Sequence, residues 1–134
     1  MKNLSYFIIL CFSIILFSCG STSTTIEKPS KEQPVVIANE SLEYEIIILD
    51  IGFNYYLNSI AKPEGFYTQN YMETKNQFYV TEWNRRVNNP AIFDPSIYEN
   101  IINYDANINY GYEVNYKLFN YFEFAQNKYR MRLR

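Results

Sequence analysis

The 134-residue sequence contains no histidine, and this absence removes the side chain that most often serves enzymes near neutral pH. Without an imidazole there is no Ser-His-Asp triad and no histidine general base. Zinc is held mainly by histidine and cysteine, so a zinc site is disfavoured as well. We therefore expect no cofactor and a non-catalytic protein, with a hydrolase that uses carboxylates alone as the enzymatic alternative.

Cysteine is also scarce, because the sequence has two, Cys11 and Cys19. Cys11 lies inside an N-terminal apolar run that we expect to be removed, which leaves the mature chain one cysteine and no disulfide. An excess of basic residues is missing too, since the net charge is −2. Proteins that bind nucleic acids usually carry a strong positive charge, so we expect no nucleic-acid partner.

What the sequence does contain begins with an export signal. Lys2 precedes an apolar run over residues 4–17, and the polar residues 20–25 follow almost directly. A membrane-spanning helix needs about 20 apolar residues, so this run is short for a span and fits the apolar region of a signal peptide. We predict that residues 1–18 are a signal peptide.

The end of the apolar run resembles a bacterial lipobox, with an aliphatic residue at Leu16, a small residue at Ser18 and then Cys19. Phe17 is larger than the residue usual at its position. The resemblance implies that the Cys19 thiol is joined to diacylglycerol. Acyl chains contribute about 0.8 kcal/mol per buried methylene group, so two or three chains would hold the protein to a membrane. An ordinary cleaved signal peptide and an uncleaved anchor are the alternatives.

The rest of the chain divides into a tether and one domain. Residues 20–34 are rich in Ser and Thr and then charged, with two prolines and no hydrophobic periodicity. Such a composition is typical of a flexible spacer. We assign residues 19–38 to the lipidated cysteine and its tether, and residues 39–134 to a single small domain with one core.

Three segments have the pattern of β-strands. Residues 42–49 alternate at first and are then apolar on both faces, which predicts a central strand covered on both sides. Residues 35–38 can pair with it through a turn at residues 39–40. Residues 101–104 are predicted to form a further strand.

Helical spacing of apolar residues predicts three longer helices and one short turn of helix, over residues 50–61, 68–88, 94–99 and 111–130. Asp50 and Thr68 are the expected N-caps of the first two helices, because their side chains can accept from the free amides of a first turn. The last helix is predicted to turn Val114, Leu118, Phe122 and Ala125 inward. The expected fold class is α+β and mostly helical, with a short sheet covered by two long helices and one short helix.

Two polar clusters are candidate binding sites. Trp83, Arg85 and Arg86 suit an anionic partner. The alternative is that Trp83 lies in the core and the arginines pair with Glu82 or Asp94. The basic residues near the C-terminus can contact an anionic surface or complement the end of the last helix, and they are Lys128, Arg130, Arg132 and Arg134.

Carboxylates and amides provide two weaker candidates. Asp105, Asn107 and Asn109 alternate as in a calcium loop, but the glycine is one position late and no glutamate closes the loop. An Asx-turn loop explains the same residues. Glu43 and Glu45 would share a strand face, as a catalytic carboxylate pair or a solvated edge.

Several blocks of the domain carry a resemblance, namely residues 42–48, 79–85, 102–105 and 110–116. In these blocks the sequence resembles a family of small uncharacterised lipoproteins of Bacteroidota, over nearly all of the chain from about Ile37. The resemblance implies an envelope location and supplies no activity. Residues 20–22 lack the acidic side chains that often follow the cysteine of surface-exposed lipoproteins in that phylum, which points to the periplasmic side of the outer membrane.

The sequence therefore predicts a lipid-anchored envelope protein that acts as a non-catalytic binding or structural module. Its expected partners are the membrane, through Cys19, and an envelope protein or polymer. The alternative is a periplasmic module that binds a glycan or a small molecule, because aromatic faces beside Asn side chains suit sugars.

Overall fold

The computed structural model describes residues 33–134, which form one α+β unit and confirm the predicted fold class. Along this part of the chain lie the strands β1 (Val35–Asn39) and β2 (Tyr44–Ile48), and the helices α1 (Phe53–Ser59), α2 (Gln69–Val87) and α3 (Gly111–Lys128). The predicted signal peptide, Cys19 and the tether up to residue 32 lie outside the described residues. No helix within residues 33–134 combines the length and apolar character that a bilayer span requires.

The sheet is an antiparallel pair in which Val35 lies opposite Ile48 and Asn39 lies opposite Tyr44. A 3-10 turn over Glu40–Leu42 joins the strands, so the predicted pairing of the first strand through this turn is confirmed. The first four residues of β1 lie within the range assigned to the tether, yet Ile37 is fully buried. The strand therefore belongs to the core of the described unit.

The prediction that β2 is a central strand covered on both faces is wrong. Within residues 33–134 the sheet has two strands, so β2 is an edge strand. Ile48 on one face is buried, whereas Ile47 on the other face is more than half exposed. An apolar run can indicate a covered strand, but here the run leaves an apolar face uncovered.

The start of α1 also differs from the prediction, because Asp50 is not its N-cap. Gly52 occupies that position with φ of 96°, a left-handed conformation that glycine adopts without a steric penalty. Asp50 instead forms an ion pair with Lys128. The helix ends at Ser59, before the predicted end, and Ile60 is exposed.

The two long helices agree closely with their predictions. The side chain of Thr68 accepts a hydrogen bond from the amide of Tyr71, as expected of the N-cap of α2. α3 is the centre of the core, since eleven of its 18 residues are buried. All four residues predicted to face inward are among them, namely Val114, Leu118, Phe122 and Ala125.

The strand predicted over residues 101–104 is absent from the described part of the chain, which is a further correction. These residues form an irregular segment, and Ile102 bonds to a side chain of α2 instead of a neighbouring strand. The predicted helix over residues 94–99 is a single hydrogen-bonded turn, in which Asp94 accepts from the amides of Ile97 and Tyr98.

Buried amide side chains join α2 to α3. Asn76 and Asn115 are fully buried, and Asn76 Nδ2 donates to the Asn115 carbonyl over 3.0 Å. Asn115 Nδ2 donates to the Gly111 carbonyl over 2.8 Å, and its Oδ1 accepts from the Tyr104 hydroxyl over 2.7 Å. The Asn76 Oδ1 atom is buried without a hydrogen-bond partner among the described residues. The other three polar atoms of the two amide side chains are hydrogen-bonded, and the bond from Asn76 joins α2 to α3.

Candidate binding cleft along strand β2

An open cleft of about 690 Å³ runs along one side of β2. Residues 43–51 line it on one side, and residues 96–97 and 99–103 line it on the other. Its volume lies within the usual range for ligand-binding pockets. The cleft is therefore the first candidate for a functional site in this part of the molecule.

The cleft follows the free edge of β2 rather than one of its faces. Successive side chains of a strand point to opposite faces, and yet every residue from 43 to 51 contacts the cleft. β1 is the one strand paired with β2 among residues 33–134. The backbone groups of β2 that point away from β1 therefore face the cleft.

Side chains of α2 hold the opposite wall in place. Asn84 Nδ2 donates to the Ile102 carbonyl over 2.8 Å, and the Ile102 amide donates to Asn84 Oδ1 over 2.9 Å. The indole Nε1 of Trp83 donates to the Asn100 carbonyl over 3.0 Å. Because three hydrogen bonds fix its backbone, this wall is formed before any ligand binds.

Buried aromatic side chains form the base of the cleft. Trp83 and Tyr121 both line it, are almost fully buried and lie with ring centres 5.7 Å apart in an edge-to-face arrangement. Burial is the main cause that raises the pKa of the Tyr121 hydroxyl, and the nearby Asp50 adds to it. These two rings give the bottom of the cleft a rigid, apolar surface.

A polar group of three residues, Asp50, Lys128 and Tyr129, forms part of the lining of the cleft. The Tyr129 hydroxyl donates to the Asp50 carboxylate over 2.8 Å, and the Lys128 ammonium forms an ion pair with the same carboxylate. Burial and the hydrogen bond to Asp50 raise the pKa of Tyr129. Asp50 therefore has its charge compensated within the cleft.

The other carboxylates of the cleft have no cation beside them. Glu43, Glu45 and Glu99 are exposed and form no ion pair with any residue of the described range. The four carboxylates that line the cleft outnumber its single ammonium group, Lys128, which leaves a local charge of −3. The cleft is therefore electronegative and suits a cationic ligand.

Exposed aliphatic side chains lie beside these carboxylates. Ile47, Leu49, Ile51 and Ile101 all line the cleft, and each is more than half exposed. Single exposed aliphatic residues are normal, but a contiguous group of them marks an interaction surface. The cleft thus offers apolar contacts, backbone hydrogen-bonding groups and negative charge together.

The predicted cluster of Trp83, Arg85 and Arg86 is divided by the structure. Trp83 is buried, whereas Arg85 Nε and Arg86 Nε each donate to the Glu82 carboxylate over 2.7 Å. Arg86 also donates to the Tyr98 hydroxyl and to the carbonyl of Arg132. The cations are thus engaged within the protein, and a role in binding a partner stays a prediction.

The predicted basic group at the C-terminus is also dispersed. Lys128 belongs to the cleft, whereas the three arginines are exposed, and they are Arg130, Arg132 and Arg134. Leu133 is buried, and its amide donates to Gln126 Oε1 over 3.1 Å, which fastens the last residues to α3. Contact of the arginines with an anionic surface stays a prediction.

The side chains of the candidate calcium loop serve local turns. Asp105 Oδ1 accepts from the amide of Asn107 over 2.8 Å, and Asn109 Oδ1 accepts from the amide of Gly111 over 3.0 Å. These are the contacts of an Asx-turn loop. Residues 33–134 contain no group of three or more His, Cys, Asp or Glu side chains suited to a metal ion.

The model of a family described as a family of unknown function (DUF6146) matches residues 6–134. No curated protein and no solved structure matches significantly.

Proposed function

We propose that this chain, which belongs to the family of unknown function DUF6146, is a lipid-anchored protein of the bacterial cell envelope whose domain binds another envelope component. The cleft along β2 is the observation that carries the binding role. More specifically, we propose that the protein is a lipoprotein of Bacteroidota that is held in the outer membrane and faces the periplasm. This assignment rests on the sequence of the N-terminal region and on the resemblance described above.

The proposed anchor is a lipid on Cys19. Its support is the order of an apolar run, Leu16, Ser18 and Cys19, followed by polar residues. The second cysteine, Cys11, supplies a matched control because it lies within the same run. We expect a palmitate analogue fed to the native host to label the wild type and Cys11→Ala but not Cys19→Ala. Label that persists in Cys19→Ala would disprove lipidation at this residue.

The orientation is tested in intact cells. We expect the domain to resist an added protease until the outer membrane is permeabilised, because a periplasmic protein is shielded from it. Degradation in intact cells would place the domain on the cell surface, and it would leave the lipidation result unaffected.

A binding role agrees better with the cleft than hydrolysis does. General acids work when their surroundings favour the protonated carboxyl group, as in an apolar pocket. Glu43, Glu45 and Glu99 are instead exposed to solvent. The cleft also combines exposed aliphatic side chains with an unpaired strand edge, which are features of protein-binding surfaces.

Photo-crosslinking in the native host tests the binding role. A crosslinking amino acid at Ile47 or Ile101, both exposed in the cleft, is expected to join the protein to a partner whose crosslinked peptide mass spectrometry identifies. Ile60 is the control position, because it is an exposed aliphatic residue just after α1 and does not line the cleft. Equal crosslinking from all three positions, or none from the cleft positions, would contradict the proposal.

A second candidate is the binding of a glycan. It is favoured by the exposed rings of Tyr71 and Phe78, which are seven residues apart and so share one face of α2. The Lys75 ammonium lies 5.8 Å from the Tyr71 ring centre. Soluble peptidoglycan fragments should then shift the tyrosine fluorescence of the wild type but not of Tyr71→Ala. An unchanged spectrum of the wild type would remove this candidate.

A further inference from the structure

We infer that the cleft binds an extended, cationic peptide segment of a partner protein, which adds to β2 as a third strand. This inference deepens the binding role proposed above and rests on it. The unpaired edge of β2, the fixed opposite wall and the net negative charge of the cleft are the three observations that carry it.

The edge of β2 supplies the hydrogen-bonding groups. In an antiparallel pair, alternate residues direct their N–H and C=O toward the partner strand, and the others direct them away. β2 has five residues and a length of about 17 Å, so a segment of five or six extended residues would match it. Adding a strand to an exposed edge is a common way for proteins to recognise peptides.

The walls of the cleft favour the addition of a peptide strand to β2 over nonspecific contact. Asn84 and Trp83 hold the backbone of residues 100–102, so a peptide enters a space whose sides are both fixed. A preformed site avoids the entropic cost of ordering a loop when the ligand binds. The space lies between β2 and residues 99–103.

The side chains of β2 indicate the chemistry of the segment. On the exposed face of β2, Glu45 is followed by Ile47, and Leu49 continues this alternation beyond the strand. Cross-strand neighbours are most favourable when opposite charges face each other and apolar side chains pack together. The structure thus favours an alternating segment whose lysine or arginine side chains share the face of Glu45, where their methylene stems can pack on Ile47, and whose aliphatic side chains share the opposite face with Ile46 and Ile48.

Charge also decides between a partner protein and a second copy of this chain. Pairing the β2 edges of two copies would bring together two clefts that each carry a charge of −3. Like charges that face each other across an interface disfavour association. A cationic segment gains from the same charge, so it is the occupant that we propose.

Synthetic peptides test the inference on the full-length protein in a neutral detergent. The probe is the hexapeptide acetyl-Lys-Val-Lys-Val-Lys-Val-amide, and its affinity is measured by isothermal titration calorimetry. We expect the corresponding Glu-Val peptide to bind at least ten-fold more weakly. N-methylation of either the three lysines or the three valines should weaken binding at least ten-fold, and N-methylation of the other set should change it less than three-fold, because only alternate amides pair with β2.

Charge reversal in the protein supplies an independent readout. Glu45→Lys should reduce the affinity for the Lys-Val peptide at least five-fold and increase it for the Glu-Val peptide. Glu64→Lys is the matched control, since Glu64 is an exposed glutamate that does not line the cleft. Equal affinity for both peptides, equal effects of the two N-methylated sets, or equal effects of the two protein variants would overturn the inference.

The two proposals fail in different ways. Suppose that Ile47 crosslinks to an identified partner in cells, while N-methylation of the lysines and of the valines weakens binding equally. The binding role then stands and the strand addition is wrong. If the peptides bind with alternation but no crosslink forms in cells, the peptide chemistry stands and the envelope-binding role is wrong. A crosslink from Ile47 to a second copy of the chain would replace the proposed occupant and overturn the inference.

Discussion

Asn84 on α2 makes two hydrogen bonds with the backbone of Ile102, one to its carbonyl over 2.8 Å and one from its amide over 2.9 Å. The side-chain amide therefore takes the place of a neighbouring strand and satisfies both backbone groups of a buried residue. This contact fixes one wall of the cleft, and it explains why residues 101–104 form no strand although their sequence predicts one.

Replacing Asn84 should release the backbone of Ile102 from α2. We expect Asn84→Ala to lower the free energy of unfolding by about 2–3 kcal/mol, because two backbone groups of a buried residue lose their partner. Asn88→Ala is the control, since Asn88 makes an exposed side-chain contact with the Asn84 carbonyl, and it should cost less than about 1 kcal/mol. Urea denaturation followed by circular dichroism measures both. Equal losses in the two variants would contradict the role of Asn84.

Removal of the buried Tyr44 hydroxyl should raise the free energy of unfolding, whereas removal of the Asn84 amide should lower it. The Tyr44 hydroxyl is buried and has no hydrogen-bond partner in the described structure, and burial is the main cause that raises its pKa. Its ring packs on that of Tyr110, with centres 4.3 Å apart. We expect Tyr44→Phe to raise the free energy of unfolding by about 1 kcal/mol, because an unsatisfied buried polar group is destabilising.

Tyr104→Phe provides the comparison for that measurement. The Tyr104 hydroxyl donates to Asn115 Oδ1 over 2.7 Å, so its removal should lower the free energy of unfolding by about 1 kcal/mol. Both variants lose the same atom, and denaturant melts at one pH compare them directly. A loss of stability in Tyr44→Phe would show that its hydroxyl has a partner in solution.

Elements with local signals were predictable from the sequence. Thr68 marks the start of α2, and Asn88 with Pro90 marks its end, because capping and the geometry of proline act within a few residues. α3 was predicted from the helical spacing of its apolar residues, and those residues are buried. Such signals do not depend on the rest of the fold.

Features that depend on distant contacts were not predictable. Residues 43–51 and 99–103 are separated by about fifty positions and meet only in the folded chain, so the cleft leaves no local pattern. The prediction that Glu43 and Glu45 share a strand face is wrong, because Glu43 precedes β2 and ends the 3-10 turn with φ of 51°. Nothing in the sequence places Glu99 beside the same cleft. Asn76 is a different case, since it lies four residues after Met72 on the buried face of α2, and this spacing could have identified it.

The buried amide network gives a third prediction. Asn115→Leu keeps a side chain of similar size but removes the acceptor of the Tyr104 hydroxyl and the donor to the Gly111 carbonyl. Asn76 keeps its hydrogen bond to the main-chain carbonyl of residue 115. We expect the free energy of unfolding to fall by about 2–4 kcal/mol, because partners are left unsatisfied in a buried site. Asn127→Ala on the exposed side of α3 should stay within about 0.5 kcal/mol of the wild type. Similar values for the two variants would refute a structural role for the network.

The last prediction concerns pH and Glu82. Hydrogen bonds from Arg85 and Arg86 lower the pKa of the Glu82 carboxyl from 4.5 to about 2. A folded-state pKa below the unfolded value contributes stability that is fully present above the unfolded pKa and is lost as the pH falls toward 2. At pH 7 we expect Glu82→Gln to lower the free energy of unfolding by about 1–2 kcal/mol, after allowance for solvent screening.

Urea denaturation between pH 7 and pH 3 checks this prediction. The difference between wild type and Glu82→Gln should be constant down to about pH 5 and should shrink steadily below it, because the unfolded carboxylate then takes up a proton before the folded one does. Glu113→Gln removes an exposed pair with Lys117 and should cost less than about 0.5 kcal/mol at pH 7. A difference for Glu82→Gln that stays constant to pH 3 would show that the two arginines do not hold this carboxylate ionised in the folded protein.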